Sequence, residues 1–363
     1  MLETLDQIEW KSLGHAYGPA EDVPDLIRDL TSLDEKVRRT AWSSLYSNIY
    51  HQGTICEAAA RAVPFLLELL EYESVPDRHQ ILIYLVHLAN GTSYFEEFDL
   101  DEEFYEGVKF NRDNDWVKET HLAVRKGIPV YTQLLNHPNA KIRNAAAYVL
   151  GEIGEQTEEV RSQLRSLLQT EKDEVVKASI LLSLGDLRDK HPQTITLMNQ
   201  FIQTNYSLLG ITSALAILRL DPGHLKAIQL LVDTLKNPDD TITSLFDQLP
   251  WREYGLSAEI FLCLGRLPEN QIIPFIPDLV GVFQKSDVGC LTFMRVLLFI
   301  VFRKQETKLT FSDLTKEQIL VLQAMTEVEP IWEYADTTLS LERYGLPYFN
   351  NREELKDFLA EVG

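Results

Sequence analysis

Apolar residues recur along nearly the whole chain at the three- and four-residue spacing of an amphipathic helix, and the strict alternation of a strand is scarce. Proline and glycine fall mainly between the periodic stretches, where they end helices. The periodicity predicts helices in pairs. Asp22 to Leu30 goes with Glu35 to Tyr50, Glu57 to Glu71 with Asp77 to Ala89, and Trp116 to Leu135 with Ala140 to Ile153. Glu158 to Leu168 goes with Glu174 to Arg188, and Gln193 to Thr204 with Ser207 to Leu220. A sixth pair starts at Leu225 to Lys236, is interrupted near Pro250 and resumes from Leu256 to Leu267; Gln271 to Phe283 with Val288 to Arg303 makes a seventh. Turn residues join the members of a pair, as in His137-Pro138-Asn139.

The pairs share a register. Val37-Arg38, Ile142-Arg143 and Val176-Lys177 hold equivalent positions, followed four residues after the apolar member by Ala41, Ala146 and Ile180 and eight after it by Leu45, Leu150 and Leu184. The step from Ile142 to Val176 is 34 residues. A fixed period of two helices predicts a solenoid, because one helical hairpin cannot bury its own apolar face. The stretches Asn139 to Gly154 and Asp173 to Asp186 resemble the second helix of a HEAT repeat. The resemblance implies an all-α fold, a right-handed α-α superhelix. Residues 1–303 would form the repeat solenoid, with an insertion at 91–115, and residues 304–363 a C-terminal helical cap. The run from Trp10 to Pro24, with His51 to Thr54, Ala62 to Phe65, Leu314 to Gln318, Trp332 and Gly345 to Pro347, is similar to uncharacterised bacterial HEAT-repeat proteins, and that group lends no activity.

Charge narrows the function. Acids outnumber bases 55 to 34, a formal net charge of −21, which repels phosphate and disfavours nucleic acid as a partner. Residues 91–115 hold nine acids against Lys109 and Arg112, a net −7. There Phe98, Asp99, Asp101, Glu102, Glu103, Phe104 and Tyr105 interleave rings with carboxylates, a composition that suits a basic protein surface: carboxylates steer and rings anchor. The competing reading is a solvated loop whose rings tuck onto the solenoid.

Catalytic templates are missing: the chain has no GxSxG, P-loop or GxGxxG pattern, and no HExxH or CxxC. No metal or cofactor is expected. His15 and Tyr17, with His51 and Gln52, flank the first helix pair and form a candidate small-ligand site, against the plainer role of a polar cap on the end of the array. Asp34–Arg38, Asn139–Arg143 and Asp173–Lys177 each set an acid or amide four residues before a base near a helix start, as caps and ion pairs between repeats would. Acids at the N-terminus, three scattered cysteines and no apolar run near 20 residues predict a cytoplasmic protein without a membrane span. The expected function is a non-catalytic protein-binding scaffold, an adaptor or inhibitor of a basic partner such as a toxin. The alternatives are a bilin lyase-type HEAT-like enzyme and a nucleic-acid-binding HEAT-like protein.

Overall fold

The computed structural model describes residues 1–91, 115–154, 157–204, 206–250, 255–286, 289–303 and 308–360. Helices dominate, and the strands among these residues are two antiparallel hairpins of two-residue strands near the N-terminus. The described residues form two compact units, one up to Thr194 and one from Ile195 onward, with Leu249 and Pro250 grouped with the first. No helix among the described residues is long and apolar enough to cross a membrane.

In the first unit the paired helices are Val23–Asp29 with Glu35–Asn48, Glu57–Leu70 with Arg78–Asn90, and Glu158–Thr170 with Glu174–Asp186. The third pair differs from the expected single first helix. It is broken into Asp115–Arg125 and Ile128–Leu134, which precede Ala140–Ile153. Gly127 stands at the break with Pro129 in the next turn; proline has no amide hydrogen to donate back to Arg125, and its ring crowds the carbonyl four residues earlier in a continuous helix. A side chain at Gly127 would also strike Tyr131, whose hydroxyl donates back to the Val124 carbonyl at 2.8 Å.

The second helices stack on one another. Arg78–Asn90 packs on Ala140–Ile153, which packs on Glu174–Asp186. Small residues make that last contact close. Ser179 donates to the Asn144 carbonyl at 3.1 Å and Ser183 to the Ala147 carbonyl at 2.7 Å. A Cβ built on Gly151 would lie 2.8 Å from Ser183 Cα. Gly151 is therefore required by packing, although glycine weakens a helix interior by about 1 kcal/mol relative to alanine. Between Glu35–Asn48 and Arg78–Asn90 the seam is aromatic. Tyr84 is fully buried, edge-on to Trp42 and Tyr46, and its hydroxyl donates to the Leu45 carbonyl at 2.8 Å. Burial pushes its phenol far above the usual range.

In the second unit Leu208–Leu218 packs on Leu225–Lys236, and Gly255–Gly265 on Cys290–Phe302, where Phe261 and Phe293 stack at 4.0 Å. Lys316–Glu327 covers both Ile276–Phe283 and Cys290–Phe302, starts with a Thr315/Gln318 capping box and donates from Gln318 to the Val301 carbonyl at 3.0 Å. Arg352–Ala360 lies on Lys316–Glu327 in turn. The stretch after Trp332 contains the helix Ala335–Arg343, held by an Arg295–Asp336 ion pair.

Gly151→Ala is expected to destabilise the protein by about 1–3 kcal/mol, the usual range for overpacking a tight contact. Urea unfolding checks this, and a variant as stable as the parent would mean that the two helices have room to move apart.

Candidate functional site

Two short hairpins carry all four candidate ligand residues. Gly14–His15 pairs with Gly18–Pro19, and Tyr50–His51 with Thr54–Ile55. Each turn is two residues long. In the second, Gln52 and Gly53 both have positive φ, 50° and 91°, as the tight hairpin turn that fits strand twist demands. The first hairpin docks on the C-terminal end of the Glu35–Asn48 helix: the Ala16 amide donates to the Asn48 carbonyl at 2.9 Å. Asp22 locks the dock. One of its oxygens faces His15 Nε2 at 3.1 Å and the other accepts from Asn48 Nδ2 at 2.6 Å.

These contacts fix both imidazoles. His15 Nδ1 accepts from the Tyr17 amide at 3.0 Å, so Nε2 carries the proton and donates to Asp22. Both ring nitrogens are committed, which leaves His15 no lone pair with which to act as a base. His51 Nδ1 lies 3.1 Å from the Ser47 carbonyl and must donate to it, which puts the lone pair on Nε2. Tyr17 stands edge-on to both rings, at 5.6 Å from His51 and 6.4 Å from His15, with 69% of its surface exposed. His15, Tyr17 and His51 thus assemble into one rigid aromatic face, and Gln52 occupies the exposed turn beside it. No acid–base pair forms between the histidines. Among the described residues no group of three His, Cys, Asp or Glu side chains is placed to hold a metal ion. Phe98, Asp99, Asp101, Glu102, Glu103, Phe104 and Tyr105 lie outside the described residues.

Asp22 was not legible as the partner of His15, nor Asn48 as the partner of Asp22. Asp22 reads as the N-cap of Val23–Asp29, yet its side chain makes no capping bond and reaches across to the hairpin instead.

The bases singled out by their spacing do a different job. Arg38 donates through one nitrogen to the Ser32 and Leu33 carbonyls of the loop before its helix, at 2.9 and 3.2 Å, and through Nε to Asp77 of the next pair at 2.8 Å. Arg143 repeats the arrangement with the His137 and Pro138 carbonyls, both at 2.9 Å, and Glu171 at 2.7 and 2.9 Å. Between them Arg78, 6% exposed, joins the Leu70 carbonyl to His137 Nε2, at 3.0 and 2.9 Å. Asp34, Asn139 and Asp173 cap their helices as the spacing predicts, accepting from Lys36, Lys141 and both Val175 and Val176. The bases do not pair with the residue four positions before them; they reach forward to the next loop. No such bridge is seen for Lys177 among the described residues.

Residues 120–185 match the family model described as HEAT repeats, the stretch that includes the second and third of these capped helices. Over that stretch the chain is similar to HEAT repeats, and the fold of the described residues is all-α apart from the two short hairpins. Among solved structures, the complex of CpcE and CpcF of phycocyanin lyase from Nostoc sp. PCC7120 is similar at 18% identity, covering 86% of this chain and 96% of that chain, with a TM-score of 0.49. An engineered protein is similar at 16% identity, covering 89% and 88%, with a TM-score of 0.35. No curated protein matches the chain.

Titration follows from the same contacts. Burial holds the His79, His87 and His137 imidazoles below the usual value of 6.5, and Arg78 adds to the effect at His137. Burial raises the Glu171 carboxyl, but the hydrogen bonds from Arg143 and from the Asp173 and Lys172 amides outweigh it, so the group titrates below its usual 4.5. In both cases the unfolded chain binds more protons, and stability rises with pH. The histidine contribution is complete above about pH 6.5 and is lost as pH falls below it; the Glu171 contribution is lost only below about pH 4.5. Urea midpoints at pH 7.5, 5.5 and 4 are expected to fall in that order, and equal midpoints at 7.5 and 5.5 would contradict the histidine assignment. Asp22→Ala leaves the His15 and Asn48 donors without their acceptor and is expected to cost about 1–3 kcal/mol. The same unfolding measurement checks it.

Proposed function

We propose that the chain is a non-catalytic protein-binding HEAT-repeat scaffold, an adaptor or inhibitor acting in the cytoplasm on a basic protein partner, a toxin being one such partner. One observation carries the reading: the excess of 55 acids over 34 bases, a third of it within residues 91–115, where carboxylates alternate with rings. Two features of the first unit support it. Arg38, Arg78 and Arg143 point their charge at loop carbonyls, His137, Asp77 and Glu171 of the same unit, so that these bases are committed within the fold. The commitment of both His15 nitrogens disfavours acid–base chemistry at the hairpins. The partner would engage Phe98, Asp99, Asp101, Glu102, Glu103, Phe104 and Tyr105, with the carboxylates raising the association rate and the rings supplying most of the free energy.

The test is binding kinetics of a captured partner on the immobilised full-length protein across a salt series. Steering by opposite charge accelerates encounter by 10-fold to 1,000-fold at low salt, so the association rate is expected to fall by about 10-fold or more between 20 and 300 mM salt. Phe98→Ala or Phe104→Ala is expected to speed dissociation, at about 2 kcal/mol for a true anchor, and Glu102→Gln with Glu103→Gln to slow association. An acidic partner, a flat salt response, or unchanged binding after deletion of residues 94–106 would overturn the proposal.

A further inference from the structure

The second unit contains a half-open groove of about 680 Å³ between the ends of several helices, within the 300–1,000 Å³ of small-molecule sites. Its floor is apolar, with Phe293 braced from behind by the parallel ring of Phe261 at 4.0 Å. Its polar groups run against the charge of the protein: two ammonium groups, Lys236 and Lys285, face one carboxylate, Asp278, in a chain of net −21. The Asp278 oxygen holds Lys236 Nζ at 2.6 Å. Among the described residues the Lys285 ammonium and the Ser257 hydroxyl have no hydrogen-bond partner.

Gly281 adds an independent indication. It lies inside the Ile276–Phe283 helix, where glycine weakens the helix by about 1 kcal/mol relative to alanine, and it lines the groove. Gly151 shows what a packing glycine looks like, with a neighbouring backbone 2.8 Å from a would-be Cβ; at Gly281 nothing lies within 4 Å. Nor does its backbone adopt a positive φ. Neither packing nor backbone geometry requires a glycine here, and what its missing side chain leaves is open groove.

We propose that this groove binds a small organic carboxylate with an apolar body, its carboxylate on Lys285 and Ser257 and its body over Gly281 against the Phe293 side of the floor. Lys285 and Ser257 are both exposed at the mouth of the groove, and a few polar groups beside an apolar lining is the division of labour found in small-molecule sites. The site is independent of the acidic insertion and of the basic partner proposed above.

The test is a titration of the full-length protein with 3-phenylpropionate, octanoate, 3-phenylpropanamide and inorganic phosphate, followed by methyl NMR of Val282 and Leu235. At least one of the two carboxylates is expected to give saturable shifts of these methyls. The neutral amide should bind at least about 10-fold more weakly, and phosphate, lacking a body, should not shift them. Lys285→Gln should weaken carboxylate binding by about 10-fold. Gly281→Leu should abolish it while unfolding at a temperature no lower than the parent, because the added side chain enters open space. Absence of shifts with both carboxylates, equal binding of the amide, shifts with phosphate alone, or binding that survives Gly281→Leu would each overturn the proposal.

Discussion

An arginine side chain that reaches forward from one helix pair to the loop of the next is the interaction on which the first unit depends. The loops inside the pairs expose carbonyls at the ends of short helices, and buried backbone acceptors need donors. Arg38 and Arg143 each supply one nitrogen to two such carbonyls and another to an acid one pair further on, and Arg78 makes the intermediate link to His137. Guanidinium suits the task because its planar fork carries several donors in fixed directions and stays charged at any relevant pH. Apolar faces can slide over one another; a fork that must meet carbonyls on one side and a carboxylate on the other sets both the distance and the register between pairs. Glu171, with 4% of its side chain exposed, also accepts from the Lys172 and Asp173 amides, so the bridge is tied into the start of the following helix.

This arrangement links fold to function through charge. Arg38 and Arg143 are each neutralised by an acid of the next pair, so the acidic excess of the chain lies in residues outside these bridges. The Lys236–Lys285 groove in the second unit is a local exception to that excess, which is why a ligand of opposite sign to the proposed partner fits there.

Much of the fold was legible because it rests on local signals. Helix period, the Asp34, Asn139 and Asp173 caps and the recurring apolar-base dipeptides are all short-range, and they place the repeat helices within a few residues of where they lie. What escaped depends on contacts far apart in the chain. Gly127 sits where Leu67 of an earlier helix would meet any added side chain, and Ala335–Arg343 is tied to Arg295, 41 residues from Asp336. The candidate site was partly legible. His15, Tyr17 and His51 do converge, and the Asp22 and Tyr17 contacts that occupy His15 come from folding and not from spacing. The forward reach of the arginines was legible as ion pairs between repeats; the carbonyls they also serve carry no sequence signal at all.

The central claim is that the forward arginine bridge, and not apolar contact alone, couples adjacent pairs. A double-mutant cycle on Arg143→Ala and Glu171→Ala in urea unfolding measures that coupling directly. The account predicts an interaction energy of at least about 1.5 kcal/mol, within the range for directly contacting charged residues in one network. Additive single-mutant effects, with a coupling within about 0.5 kcal/mol of zero, would contradict it and leave the register of the first unit to hydrophobic packing.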